Sequence, residues 1–255
     1  MSNKIKIIVP IPLDAAGVAN RASQLPKDFI MPGAEVEFVA VSWGAALGDS
    51  YYDTILMDMS VFEAGLKAEE EGFDAVCIDT VSDSGMYALR SKLNIPVVGP
   101  GQASFHLACC LGHKFSVITM WDEWFHLYTK ILKEYGLESR CASLRSINTR
   151  PDLAELLEGK EEVVFAKLEE ESLKAINEDG ADVIVLGSTT MHQSHRYLQE
   201  KLPVPVINPG QVAYKLCELF LQLGLTHSKK AFASPEMPND DMILSRGKNS
   251  STHAG

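Results

Sequence analysis

One phrase occurs twice in this chain of 255 residues. Gly72-Phe73-Asp74-Ala75-Val76-Cys77-Ile78-Asp79-Thr80 lies over Gly180-Ala181-Asp182-Val183-Ile184-Val185-Leu186-Gly187-Ser188. Further on, Pro96-Val97-Val98-Gly99-Pro100-Gly101-Gln102-Ala103 lies over Pro205-Val206-Ile207-Asn208-Pro209-Gly210-Gln211-Val212. Each copy reads as helix end, Gly stop, buried apolar strand, small-hydroxyl loop, helix, short strand and Pro-Gly turn. A long unit present only twice is not a solenoid. It predicts an α/β fold of two pseudo-symmetric lobes, each a parallel sheet flanked by helices, with the active site in the inter-lobe cleft.

The rest of the chain fits that frame. Strands are expected at Ile5–Val9, Glu35–Val41, Ala75–Ile78, Val97–Val98, Phe115–Thr119, Leu144–Ile147, Val183–Leu186 and Val206–Ile207, alternating with helical stretches, the pattern of parallel sheets. Helices are expected over Ile55–Glu71, Met86–Leu93, Ala103–Leu111, Glu123–Tyr135, Glu161–Glu178, His195–Lys201 and Gln211–Leu223, and Asp14–Leu25 reads as helix or loop. The expected division is residues 1–98 with 209–232 as lobe 1 and 99–208 as lobe 2. Residues 233–255 form a polar C-terminal tail, loosely ordered or lying on a partner.

Ligands on such sheets sit beyond the carboxyl ends of the strands. That brings Pro10–Leu13, Ser42–Ser50, Thr80–Gly85, Thr119–Trp124 and Ser188–His192 to one cleft. Thr80-Val81-Ser82-Asp83-Ser84-Gly85 follows a buried strand and precedes a helix, so it can hold an anion or simply cap the helix. Gly187-Ser188-Thr189-Thr190-Met191-His192 is the matching loop, with the same two readings. Asp79 and Asp83 are candidate bases; Asp79 directly ends an apolar strand, where a carboxylate is costly unless it is hydrogen-bonded, so a structural bond to a neighbouring loop is the alternative. His192 and His195 lie just beyond the second loop, where a surface or satisfied histidine is the alternative. Without HxH or HExxH spacing, no metal site is expected. Trp121 and Trp124 close over a ring or pack on the lobe interface.

A net charge of −11 argues against nucleic acid and against an anionic membrane surface as partners. It leaves room for an anionic small substrate. No apolar run reaches the roughly 18 residues of a bilayer span. Met1–Lys4 leads directly into the first strand, so no signal peptide is expected. The five cysteines form no CxxC pair and read as reduced thiols of a cytoplasmic protein.

On these residues the chain resembles the aspartate/glutamate/hydantoin racemase superfamily, nearest its hydantoin and allantoin racemase branch, over about residues 4–232. Gly72–Leu111 and Gly180–Leu225 carry most of the likeness, with Leu223-Gly224-Leu225-Thr226-His227-Ser228-Lys229 at its end. The resemblance implies a cofactor-free site in which two cysteines flank the substrate carbon. Here the first cysteine position is Thr80, in a run that keeps Asp83 and Gly85, and the second is Ser188, after Gly187. A thiol ionises near neutrality, whereas a hydroxyl needs an adjacent base.

The resemblance with this substitution implies a racemase or isomerase acting on a small carboxylate or a cyclic ureide or imide (hydantoin-like) by proton transfer at carbon, not by the two-cysteine mechanism. A hydrolase or decarboxylase on the same substrates, with Ser188 and His192 as nucleophile and base, is one alternative. A non-catalytic ligand-binding protein is the other. Candidate catalytic residues are Thr80, Ser188, Asp79, Asp83 and His192. Pro10, Ser82, Ser84, Gly85, Thr119, Trp121, Gly187, Thr189 and Thr190 are candidate substrate contacts. A homo-oligomer is the expected assembly.

Overall fold

The structure, a computed structural model, describes residues 3–151 and 161–249. It divides into two compact units. Unit 1 holds Met1–Asp79, Ser84–Val98 and Lys215–Gly255, and unit 2 holds Thr80–Asp83 and Gly99–Tyr214.

Unit 1 opens with β1 (Lys4–Val9), α1 (Ala15–Ser23), β2 (Glu35–Ala40), α2 (Tyr51–Gly65), β3 (Ala75–Ile78), α3 (Met86–Lys92) and β4 (Val97–Val98). Its strands form one sheet in the order β2-β1-β3-β4, and every pair is parallel. β1 and β3 are inner strands covered on both faces, so both read as unbroken apolar runs. Ile5, Ile8, Val9, Ala75, Val76 and Ile78 are fully buried. Lys6 interrupts the run, and its ammonium is neutralised by Glu71 at 2.6 Å.

Unit 2 runs through α4 (Pro100–Leu111), β5 (Phe115–Thr119), α5 (Phe125–Glu134), β6 (Cys141–Ser146), α6 (Glu161–Asn177), β7 (Val183–Leu186), α7 (His192–Lys201), β8 (Val206–Ile207) and into α8 (Pro209–Leu223). Its sheet, also parallel, has the order β6-β5-β7-β8. The duplicated phrase therefore encodes the same strand order twice. Alternate residues of β7 face opposite sides of the sheet, as the pleat requires. Ile184 and Leu186 pack with Ile118, Leu168 and Leu198, and Val183 and Val185 pack with Phe105, Tyr128, Ile131 and Val81.

Several element bounds differ from the sequence reading. α4 and α8 begin at Pro100 and Pro209, two or three residues earlier than expected, because proline's fixed φ suits a first helical turn. α2 starts at Tyr51, capped by Ser50, whose Oγ accepts from the amide of Asp53 at 3.2 Å. α7 starts at His192, and the Glu123–Tyr135 helix is a 3-10 turn over Asp122–Trp124 followed by α5. β6 starts three residues before the expected strand.

The segment read as a polar tail carries a further helix, α9 (Asp240–Asn249), and Asp240 pairs with Lys92 at 2.5 Å. Before it, Lys229 Nζ donates to the carbonyls of Arg90, Ser91 and Leu93 at 2.9, 2.9 and 2.6 Å. Such a cation suits the negative end of α3. Among the described residues no helix is long and apolar enough to cross a membrane.

Candidate active site

The two hydroxyl loops are built alike. After β3, Thr80 Oγ1 lies 3.0 Å from Ser82 Oγ and accepts from the Ser82 amide at 3.5 Å. After β7, Ser188 Oγ lies 2.8 Å from Thr190 Oγ1 and accepts from the Thr190 amide at 3.2 Å. Each is a hydroxyl turn in which the first side chain bonds the backbone two residues on. A hydroxyl has one proton and two lone pairs. The amide occupies one lone pair and restrains the oxygen; the bond between the two hydroxyls uses one of their two protons and leaves the other to be donated outward. Thr80 and Ser188 are half-buried, Ser82 and Thr189 are buried, and Thr190 is exposed.

The carboxylates beside the first loop are both engaged. Asp79 ends β3 and pairs with Arg21 of α1 at 2.6 Å, each residue only 9% exposed. Burying two charges is costly unless they face one another, and this pair meets that condition. Asp83 sits in left-handed backbone, φ 52°, a conformation that aspartate tolerates better than most residues. Its Oδ1 accepts from Gly101 N and its Oδ2 from Gln102 N, both at 2.7 Å, and Oδ2 also accepts from Tyr135 Oη at 2.6 Å. It thus caps the N-terminus of α4 with negative charge, where a helix favours it. In unit 1, Gly85 donates its amide to Asp58 of α2 at 2.9 Å, and Ser84 is buried. Pro10 is buried directly after β1.

The second loop is held from its other end. Tyr128 Oη donates to Gly187 O at 2.6 Å. That uses the phenol's one proton, so the 2.8 Å contact with Thr119 Oγ1 has the threonine as donor. Burial pushes the Tyr128 phenol far above its ordinary range, against the smaller pull of Thr119, and it stays protonated. A Cβ on Gly187 would lie 2.6 Å from Thr119 Cβ and 2.7 Å from Tyr128 Oη, so this close approach requires glycine. At α8 the cap is neutral: Asn208 Oδ1 accepts from Gly210 N and Gln211 N at 3.1 and 3.3 Å.

His192 is the half-buried first residue of α7. Ser188 Oγ pairs with Thr190. His195 Nε2 lies 3.0 Å from Val206 O, and burial lowers its pKa against that bond. Trp121 packs, partly buried, against the Ile118 and Leu186 side of the sheet. None of the five cysteines lies in either hydroxyl loop. Cys77 and Cys217 are buried, and burial pushes the Cys141 thiol up to about 11. No group of three or more His, Cys, Asp or Glu among the described residues is arranged to hold a metal ion.

Sequence reading missed Arg21, Tyr128, Tyr135 and Asn208. The tyrosines left one trace, a spacing of seven on an amphipathic helix, which returns a side chain to the same face. Arg21, in a polar stretch, left none.

Two parallel four-stranded sheets with matching strand-end loops define an α/β fold of the racemase kind. The family model described as Asp/Glu/Hydantoin racemase matches residues 18–217. The chain is 33% identical over 238 residues to a hydantoin racemase of Pseudomonas sp. (strain NS671), covering 91% of this chain and 92% of that one. Among solved structures, an allantoin racemase from Klebsiella pneumoniae superposes with a TM-score of 0.84 at 28% identity, over 95% of this chain and 99% of that one. An allantoin racemase from Pseudomonas fluorescens gives 0.84 at 28%, over 92% and 98%. The chain belongs to the Asp/Glu/hydantoin racemase family, and is by that membership an enzyme of racemase (isomerase) type.

Proposed function

We propose that this enzyme interconverts the enantiomers of a small cyclic ureide or imide, hydantoin-like, or of a small carboxylate, by moving a proton at the stereogenic carbon without a cofactor and without thiols. The observation that carries the reading is the pair of matching hydroxyl turns, Thr80 with Ser82 and Ser188 with Thr190. They stand in a chain whose relatives are hydantoin and allantoin racemases.

Losing a proton from carbon places negative charge on the neighbouring carbonyl oxygen. Donors fixed beforehand at that position stabilise the transition state more than the ground state. Thr80 and Ser188, each with its oxygen restrained by a backbone amide, are assigned that role. His192, at the start of α7, and Asp79, ion-paired with Arg21, are assigned the exchange of the proton. Asp83, with three donors on its oxygens, is assigned to hold the loop. Pro10, Thr119, Trp121 and Gly187 shape the surroundings. The substrate is a small molecule, and the enzyme acts as a homo-oligomer in the cytoplasm.

The test is to incubate each enantiomer of a 5-substituted hydantoin, and of allantoin, with the enzyme in D2O, then separate the products by chiral chromatography and weigh them. The expected result is the opposite enantiomer carrying one deuterium at the stereocentre, faster than the spontaneous reaction. Unchanged chirality and mass across the panel, a gain of water, or a loss of CO2 would contradict the reading.

A further inference from the structure

One helix reaches both hydroxyl loops. Tyr128 and Tyr135 are seven residues apart on α5 and its C-cap, and both have helical backbone. Seven residues return a side chain to within about 20° of the same face and advance it about 10 Å along the axis. From that face Tyr128 Oη donates to Gly187 O, at the root of the Ser188 loop. Tyr135 Oη donates to Asp83 Oδ2, three residues after Thr80. Between them Ile131 is buried against Val81 of the first loop and Val185 of β7. Its Cδ1 lies 2.6 Å from where a Gly101 side chain would begin.

We infer that Tyr128 and Tyr135 are a matched pair of positioning residues, through which α5 sets the placement of the Thr80 and Ser188 hydroxyls relative to one rigid element. The inference rests on the racemase reading above for its consequence in catalysis. The tethering itself rests on geometry alone. Neither phenol is placed on the substrate. Each acts through a loop, one by a carbonyl and one by a carboxylate that also caps α4. Loops after strands are otherwise the mobile part of such a fold, and a misplacement of about 1 Å costs on the order of a hundredfold in rate.

The experiment compares Tyr128→Phe and Tyr135→Phe with Tyr197→Phe. Tyr197 is a tyrosine of α7 whose hydroxyl bonds Glu169 of α6 at 2.5 Å and neither hydroxyl loop, so it serves as the control for losing a phenolic hydrogen bond. Steady-state racemisation and amide hydrogen exchange are read on all three variants and on wild type. Tyr128→Phe and Tyr135→Phe are each expected to lower kcat about tenfold or more with KM within about twofold, whereas Tyr197→Phe keeps wild-type kcat. Exchange should quicken across Gly187–His192 in Tyr128→Phe, across Thr80–Asp83 and Gly101–Gln102 in Tyr135→Phe, and at neither in Tyr197→Phe. Wild-type exchange at both loops in both variants overturns the tether, as does equal quickening everywhere in all three. Selective exchange with unchanged kcat overturns the catalytic consequence. If the wild type turns over no hydantoin or allantoin, the racemase reading fails, and the exchange pattern still decides whether the tyrosines hold the loops.

Discussion

Two aspartates four residues apart, Asp79 and Asp83, show how far a residue's type is from its role. Both are buried in the same loop region. One faces a guanidinium, the other three neutral donors. Sequence alone marked both as candidate bases, and Asp79 as a carboxylate costly to bury without a partner; the structure gives each of them partners. It could not name the partners, because Arg21 and Tyr135 are distant in the chain and no local periodicity ties them to positions 79 and 83.

His227 gives a prediction at the same scale. Its Nε2 accepts from Val97 N at 2.8 Å, so the folded chain needs that nitrogen unprotonated. Burial first, then the nearby Arg90 charge, lower its pKa from 6.5 to about 4. A folded pKa below the unfolded one means the unfolded chain binds more protons between those values. The stabilisation is complete above about 6.5 and is lost as pH falls towards about 4. Melting temperature should fall through that window, and His227→Gln, which keeps an acceptor but no titration, should flatten that part of the profile. A slope unchanged by the substitution would remove His227 from the account.

At the scale of elements, the two copies of Pro-Gly-Gln look interchangeable in sequence and are not so in the fold. A Cβ on Gly101 would lie 2.2 Å from the Val81 carbonyl, which is backbone and cannot step aside. At Gly210 the nearest atom is 3.6 Å away. The difference follows from the caps. α4 receives Asp83 from a loop laid across its first turn, whereas α8 is capped by Asn208 from its own approach strand. Gly101→Ala should therefore cost about 2 kcal/mol or more, in the manner of an overpacked core, and lower racemisation with it. Gly210→Ala should be neutral or gain about 0.5 kcal/mol from reduced freedom of the unfolded chain. Urea unfolding of the two variants is the measurement, and equal effects would contradict the asymmetry.

Across the whole molecule the two parallel sheets were legible because the duplication repeated their alternation of strand and helix, whereas the strand order was not. Val76 with Cys77, and Ile184 with Val185, are buried neighbours that put apolar side chains on both faces of their sheets, as parallel strands covered on both sides do. Helix starts were less legible: Pro100 and Pro209 were read as turns before a helix rather than as its first residues. The last helix, Asp240–Asn249, was missed because its composition is that of a solvated tail, and its contact from Asp240 to Lys92 is long-range. The hydroxyl loops were legible as loops. Their matched bonding is local, between hydroxyls two residues apart, whereas the α5 tyrosines behind them come from segments that meet only in the folded state.

The central proposal is that the hydroxyls of Thr80 and Ser188 stabilise the negative charge that forms as a proton leaves carbon, in a reaction without thiols. Its most direct test is the initial rate at which solvent deuterium enters the stereocentre of a single hydantoin or allantoin enantiomer, measured for wild type, Thr80→Ala and Ser188→Ala at equal folded concentration. The account predicts a fall of about a hundredfold or more in each variant, the size of losing one oriented donor to a developing oxyanion. Exchange at the wild-type rate in both variants would contradict it.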